Sequence, residues 1–225
     1  MIPGLPLYIS VLFVVVTLIT VYLFYRAAHL SDITFILLAS WLMLQAVLSL
    51  KGFYAITDTF PPRFALLAAP AMIFIIILFI TKKGRLYIDG LDVQQLTWLH
   101  AVRVPVEIIL FALFSYKLIP GLMTFEGRNF DIFSGVTAPF VAWFGYEKRK
   151  LSRPIMLIWN FVCLALVLNV VINGMLSAPS RFQQFAFDQP NMAIMYFPFA
   201  WLPACIVPIV IFSHLVCIRR LLTRS

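Results

Sequence analysis

The stretch Trp98–Phe111, WLHAVRVPVEIILF, decides how this chain is read. It lies inside a long apolar run, yet it carries His100, Arg103, Pro105 and Glu107. His100, Arg103 and Glu107 stand at i, i+3 and i+7. On a helix of ~100° per residue they share one face and rise by roughly 10 Å. The opposite face holds Val102, Val106, Ile109 and Leu113. Such a helix fits a bilayer with its polar face turned toward protein, because an unpaired Arg at mid-membrane costs about 3 kcal/mol or more. Glu107 stands at the favourable i,i+4 spacing and is the expected counter-ion of Arg103 within the same helix. Pro105 deletes one helical hydrogen bond and frees the carbonyl of Ala101, which predicts a kink beside a cavity.

The rest of the chain agrees. Of 225 residues, 63% are hydrophobic and 12% charged, where a soluble domain is about half apolar and about a quarter charged. Twenty-two phenylalanines exceed what one soluble core of this length would hide. The formal charge of +8 lies in short clusters between apolar runs rather than along an aromatic-studded stripe, which argues against nucleic acid. Cys163, Cys205 and Cys217 are odd in number and match no disulfide or metal spacing. The opening MIPGLPLYIS has no basic segment and its apolar run continues to Tyr25, so the first run is expected to stay as a span.

A helical span needs ~20 mostly apolar residues. Seven runs qualify: Leu7–Ala27, Ile33–Leu50, Phe64–Ile80, Val93–Leu118, Ile132–Tyr146, Pro154–Leu176 and Ile194–Ile218. Backbone groups in lipid must be satisfied within the segment, so these are helices. One side of the alternation collects Arg26, Lys82, Lys83, Arg85, Lys148, Arg149, Lys150, Arg153, Arg219, Arg220 and Arg224. The other has Lys51, Arg63, Lys117, Arg128 and Arg181. The richer side is cytoplasmic. The expected fold is therefore all-α: a single polytopic membrane domain over residues 1–225, with seven transmembrane helices, the N-terminus outside and the C-terminus in the cytoplasm. The loops IPGLMTFEGRNF, Ile119–Phe130, and SAPSRFQQFAFDQPNMA, Ser177–Ala193, are long enough to fold over the outer mouth. A three-plus-one-plus-three repeat is not visible.

Partners for Arg103 are available on other spans. Asp131 opens the fifth, with Ser134 and Thr137 behind it; the sixth has Trp159, Asn160, Asn169 and Asn173; the seventh has Tyr196, Trp201 and His214 with Pro198, Pro203 and Pro208. Such groups can also simply fasten helices together. Several chemistries fail on composition. The last span has no lysine for a retinal Schiff base. Three histidines, His29, His100 and His214, do not supply a three-histidine zinc site with His-x-x-x-His spacing. No Ser-His-Asp set or phosphate-cradling glycine loop is present, so no catalytic residue, metal or cofactor is assigned. One alternative keeps a cofactor: His100 and His214, on separate spans, as axial haem ligands. At the sequence level His214 reads as interfacial.

The segments LHAVR (Leu99–Arg103), FDIFSGVTAP (Phe130–Pro139), WN (Trp159–Asn160) and FPFAWLP (Phe197–Pro203) resemble a family of small bacterial seven-helix integral membrane proteins with no assigned function. The likeness runs from about Leu96 to Leu221. It implies the fold and a bacterial inner-membrane location, and it brings no substrate. The family's sixth-span motif continues to an acidic residue where this chain has Leu166 or its neighbours.

The functional expectation is a small-molecule or lipid site between spans 4 and 7, of transporter or sensor type, using His100, Arg103, Glu107, Asp131, Asn160 and Trp201. The alternative is an accessory subunit packed against another membrane protein.

Overall fold

The computed structural model describes residues 2–223. Arg224, counted above with the basic C-terminal cluster, lies outside the described residues. Among these the regular structure is helix and turn, with no strand. Helix α1 covers Leu7–Ala27 and α2 covers Asp32–Leu50. The Ser31 hydroxyl starts α2 by accepting the N–H of Thr34 at 3.4 Å.

Helix α3, Ala65–Ile80, turns through 95° into α4, Lys82–Gly90. Thr81 caps the second helix, its hydroxyl accepting from the Gly84 N–H at 3.1 Å. Gly84 makes the elbow possible, because a Cβ there would sit 2.5 Å from the Cα of Leu78. Gly84→Ala is expected to force the elbow open and to cost about 1–3 kcal/mol, read as a lower melting temperature of the purified protein. Helix α4 buries Ile88 and exposes Lys82 and Lys83. Its Asp89 accepts from Arg219 Nε at 3.1 Å and Nη2 at 3.0 Å. Those bonds hold the Asp89 carboxyl below its usual range against a smaller opposing effect of burial. The pair therefore contributes above the ordinary carboxylate pKa and is lost as pH falls through the lowered value. The Asp89 side chain is exposed and that of Arg219 is half-buried. Asp89→Asn is thus expected to cost only about 0.2–1 kcal/mol in neutral buffer, and less in high salt.

Asp92 starts α5, Val93–Leu99, by accepting from the N–H groups of Gln94 and Gln95 at 2.9 and 3.1 Å. The run continues through a 3₁₀ turn, His100–Val102, into α6, Arg103–Ser115. Pro105 is thus in the first turn of α6, where its missing N–H is tolerated, and the irregularity falls in the turn before it. Helix α7, Ile132–Val141, winds into a π turn at Ala142–Glu147. Helix α8 covers Arg153–Leu176. A second π turn, Leu202–Ile206, leads into α9, Val207–Thr223.

The last run corrects the sequence reading. It was expected to be helical from Ile194, but Ala193–Met195 is a separate 3₁₀ turn and the long helical stretch begins only at Leu202. Tryptophans fasten the π turn to α2: Trp41 Nε1 donates to the Ala204 carbonyl at 2.8 Å, and Trp201 Nε1 to the Leu42 carbonyl at 3.0 Å. Such turns leave carbonyls free to accept. Helix α9 is the centre of the molecule. Every residue from Pro208 to His214 is buried, as are Val216, Cys217 and Ile218, which is the pattern of a helix surrounded on all sides.

Among the described residues five helical stretches reach 18 residues and are apolar enough to cross a membrane: α1, α2, Val93–Ser115, α8 and Leu202–Thr223. A sixth passes if α3 and α4 are one bent span. Helix α7 alone has 10 residues. Large apolar side chains such as Leu12, Leu18, Ile36, Met43, Ile76 and Ile158 stand exposed on these helices.

Candidate functional site

Arg103 is buried at the start of α6, and its guanidinium organises the interior. Its Nε donates to Asp131 Oδ2 at 2.6 Å, and its Nη2 donates both to Asp131 Oδ1 and to the Cys163 carbonyl, the latter at 3.2 Å. Nη1 faces His214 Nε2 at 3.0 Å. A guanidinium can only donate, so His214 Nε2 accepts. The proton of that ring must then lie on Nδ1, which donates to Asn160 Oδ1 at 3.0 Å. The Asn160 amide completes the chain by donating to the Met156 carbonyl at 2.9 Å. One line of bonds thus joins α7, α6, α9 and α8, and every group in it has one consistent role.

A second carboxyl sits beside the first. Glu107 accepts from Asn129 Nδ2 on both oxygens at 2.7 Å. The same amide also donates to the Met123 carbonyl at 2.9 Å, and Asn129 Oδ1 accepts the Asp131 N–H at 2.9 Å. Asn129 comes from the loop after α6, which folds inward so that Met123, Thr124 and Asn129 are buried. The later loop closes over it. Gln189 Nε2 donates to the Ile119 carbonyl at 2.6 Å, and the N–H groups of Met192 and Ala193 reach the Leu118 carbonyl at 3.0 and 3.1 Å.

The counter-ion expectation is therefore corrected. Arg103 pairs with Asp131 across helices rather than with Glu107 on its own. The guanidinium fork points toward α7, where a planar carboxylate can meet it with two parallel bonds, and Glu107 is taken by the Asn129 amide. Gly135 permits the approach: a Cβ there would fall 2.8 Å from Val104 Cγ2 and 3.2 Å from the Arg103 Cβ.

His214 is also corrected, from interfacial to fully buried at the centre, because α9 is enclosed by the other helices. His100 stacks on it with ring centroids 3.8 Å apart and planes 13° apart. The Trp159 ring meets His100 edge-on at 5.8 Å while its Nε1 donates to Thr137 Oγ1 at 2.9 Å. Both nitrogens of His100, and Ser134 Oγ, are buried with no hydrogen-bond partner among the described residues. Axial haem ligation does not fit this arrangement. The two rings lie face to face with no room for a porphyrin between them, and both nitrogens of His214 are engaged. Among the described residues no group of three or more His, Cys, Asp or Glu could hold a metal ion.

Of the six residues picked from sequence, His100, Arg103, Glu107, Asp131 and Asn160 converge. Trp201 does not: it packs against Phe197 at 5.1 Å and bonds to α2. Asn129 was missed, although an amide two residues before Asp131 was the available signal. A cavity of about 30 Å³ touches Arg103, Glu107 and Asp131, with Leu202, Ile206 and Val210 as its apolar wall. That volume admits water and nothing larger.

A family described as Domain of unknown function (DUF8737) matches residues 61–222, from the turn before α3 into the end of α9. No curated protein and no solved structure matches the chain.

Proposed function

The chain belongs to the DUF8737 family, and from that premise we propose that it is an integral membrane protein whose Arg103 centre binds a small anionic molecule or lipid headgroup. Seven spans are α1, α2, α3, α5 with α6, α7 with its π turn, α8, and the second π turn with α9. Helix α4 lies along the cytoplasmic face, on the side where Lys and Arg collect. The exposed apolar side chains on the long helices support this placement, since surfaces of that kind are covered by lipid or partner. A reporter fused to the C-terminus should be active only in the cytoplasm; activity only outside overturns the orientation.

The observation that carries the reading is a buried guanidinium whose counter-ion, Asp131, arrives from a different helix. Helix α7 and the α9 side of the cavity each carry a π turn, and α6 begins at a 3₁₀ turn. Such irregular turns concentrate at functional sites and let helices re-pack. An entering carboxylate or phosphate exchanges with Asp131 on the guanidinium. The released Asp131 then needs a proton, which links ligand uptake to proton uptake, as in a transporter or a sensor.

Thermal-shift screening of detergent-purified protein against carboxylates, phosphates and lipids tests this. A ligand at 100 times its Kd stabilises by about 2.7 kcal/mol. The charge-balanced pair Arg103→Gln with Asp131→Asn should abolish that shift; shifts that survive in the pair place the ligand elsewhere.

A second reading has its own observation: four N–H groups of Arg103 are already satisfied by protein and the cavity has room for nothing larger than water. On that reading the network fastens helices in an accessory subunit. It expects no ligand shift in any condition and a partner that co-purifies in fixed proportion.

A further inference from the structure

A second cavity is far larger than the one at Arg103. It is a crevice of about 560 Å³ between α2 and α3, floored by α9, within the range of about 300–1,000 Å³ typical of ligand sites. Its walls are apolar, with Leu38, Ala71, Phe74 and Phe212 among them. Polar side chains occur at one end, where Ser31, Thr34 and Tyr87 meet. Thr34 Oγ1 and the Tyr87 hydroxyl are 3.1 Å apart. Burial keeps that phenol above its usual range, partly opposed by the bond to Thr34, so it stays a neutral donor. Further along α2 the lining includes Trp41, whose Nε1 donates to the Ala204 carbonyl.

Two features restrict what can fill it. From Ser31 to Trp41 the crevice follows ten residues of helix, roughly 15 Å, half of a ~30 Å hydrocarbon core. It therefore spans one leaflet. Its polar end is reached by α4 through Tyr87, and one turn earlier the same helix exposes Lys82 and Lys83. Arg85 is used locally, donating to the Ile80 carbonyl at 2.7 Å. Of the acidic groups there, Asp89 is taken by Arg219 and Asp32 lies in the first turn of α2. The mouth is net positive.

We propose that the α2–α3 crevice holds one acyl chain of an anionic phospholipid, with the phosphate at Lys82 and Lys83. The hydrocarbon fills the apolar walls of one leaflet's depth, and the lysines select the charge, each near-surface cation adding attraction to an anionic headgroup. The proposal rests on the membrane reading above but not on ligand binding at Arg103.

Native mass spectrometry of the full chain in detergent tests it, with phosphatidylglycerol and phosphatidylcholine of identical chains as probes. The expected result is one retained phosphatidylglycerol, preferred by about tenfold or more. Ala71→Phe, which fills the crevice, should remove the adduct while an unchanged melting temperature reports the fold. Lys82→Ala with Lys83→Ala, both exposed, should keep an adduct but equalise the two lipids. Equal retention by the wild type overturns the proposal. So does an adduct indifferent to Ala71→Phe, a second copy of the chain in place of lipid, or no adduct. Recovery of the chain from the soluble fraction would instead refute membrane embedding itself.

Discussion

Asp131→Ala is expected to destabilise the protein by about 3–5 kcal/mol, the cost of leaving a buried charge without its partner. The loss exceeds one ion pair because Arg103 also positions His214, and through it Asn160. Unfolding of the purified variant in graded denaturant measures it. The double variant Arg103→Met with Asp131→Leu separates burial from attraction. Replacing both charges by apolar groups should recover most of the stability, since an apolar pair of similar volume often equals or exceeds a buried ion pair. If Asp131→Ala melts like the wild type, the guanidinium is not enclosed as described.

Gly135→Leu should be comparably severe. Even a Cβ would fall 2.9 Å from the Val104 backbone nitrogen. A leucine must push α7 off the start of α6, carrying Asp131 away from the guanidinium. Gly135→Ala is expected to cost about 1–3 kcal/mol by overpacking alone; the leucine should add much of the broken-pair cost and leave little folded protein. Size-exclusion chromatography and melting curves of the two variants, compared in order, read the gradation. Equal behaviour of both would mean that α7 and α6 are not in close approach.

Much of this was legible in the sequence because hydropathy fixes where long helices lie. The runs read as Leu7–Ala27 and Pro154–Leu176 emerge as helices with the same or adjacent ends. The seventh run failed at its start because apolar character does not distinguish a helix from a buried turn, and Ile194 and Met195 are buried in a turn. At the site, spacing put His100, Arg103 and Glu107 on one face, but spacing along one helix says nothing of what a neighbouring helix presents. Arg103 chose Asp131 over Glu107 because a fork that takes two parallel bonds across helices outcompetes a flexible contact along one. Asn129, marked only by its place two residues before Asp131, was passed over for a related reason. Its role depends on a loop that turns inward, which no periodicity records.

The segment Leu202–Ile206 has a consequence of its own. Ala204 and Cys205 line the wide crevice, while Leu202 and Ile206 wall the water-sized cavity at Arg103. Neither face can rotate without turning the other. An occupant on one side that changes affinity on the other by re-seating this short coil must, by thermodynamic reciprocity, have its own affinity changed by the same factor when the other side fills. Five residues thus make the two halves of the molecule answerable to each other.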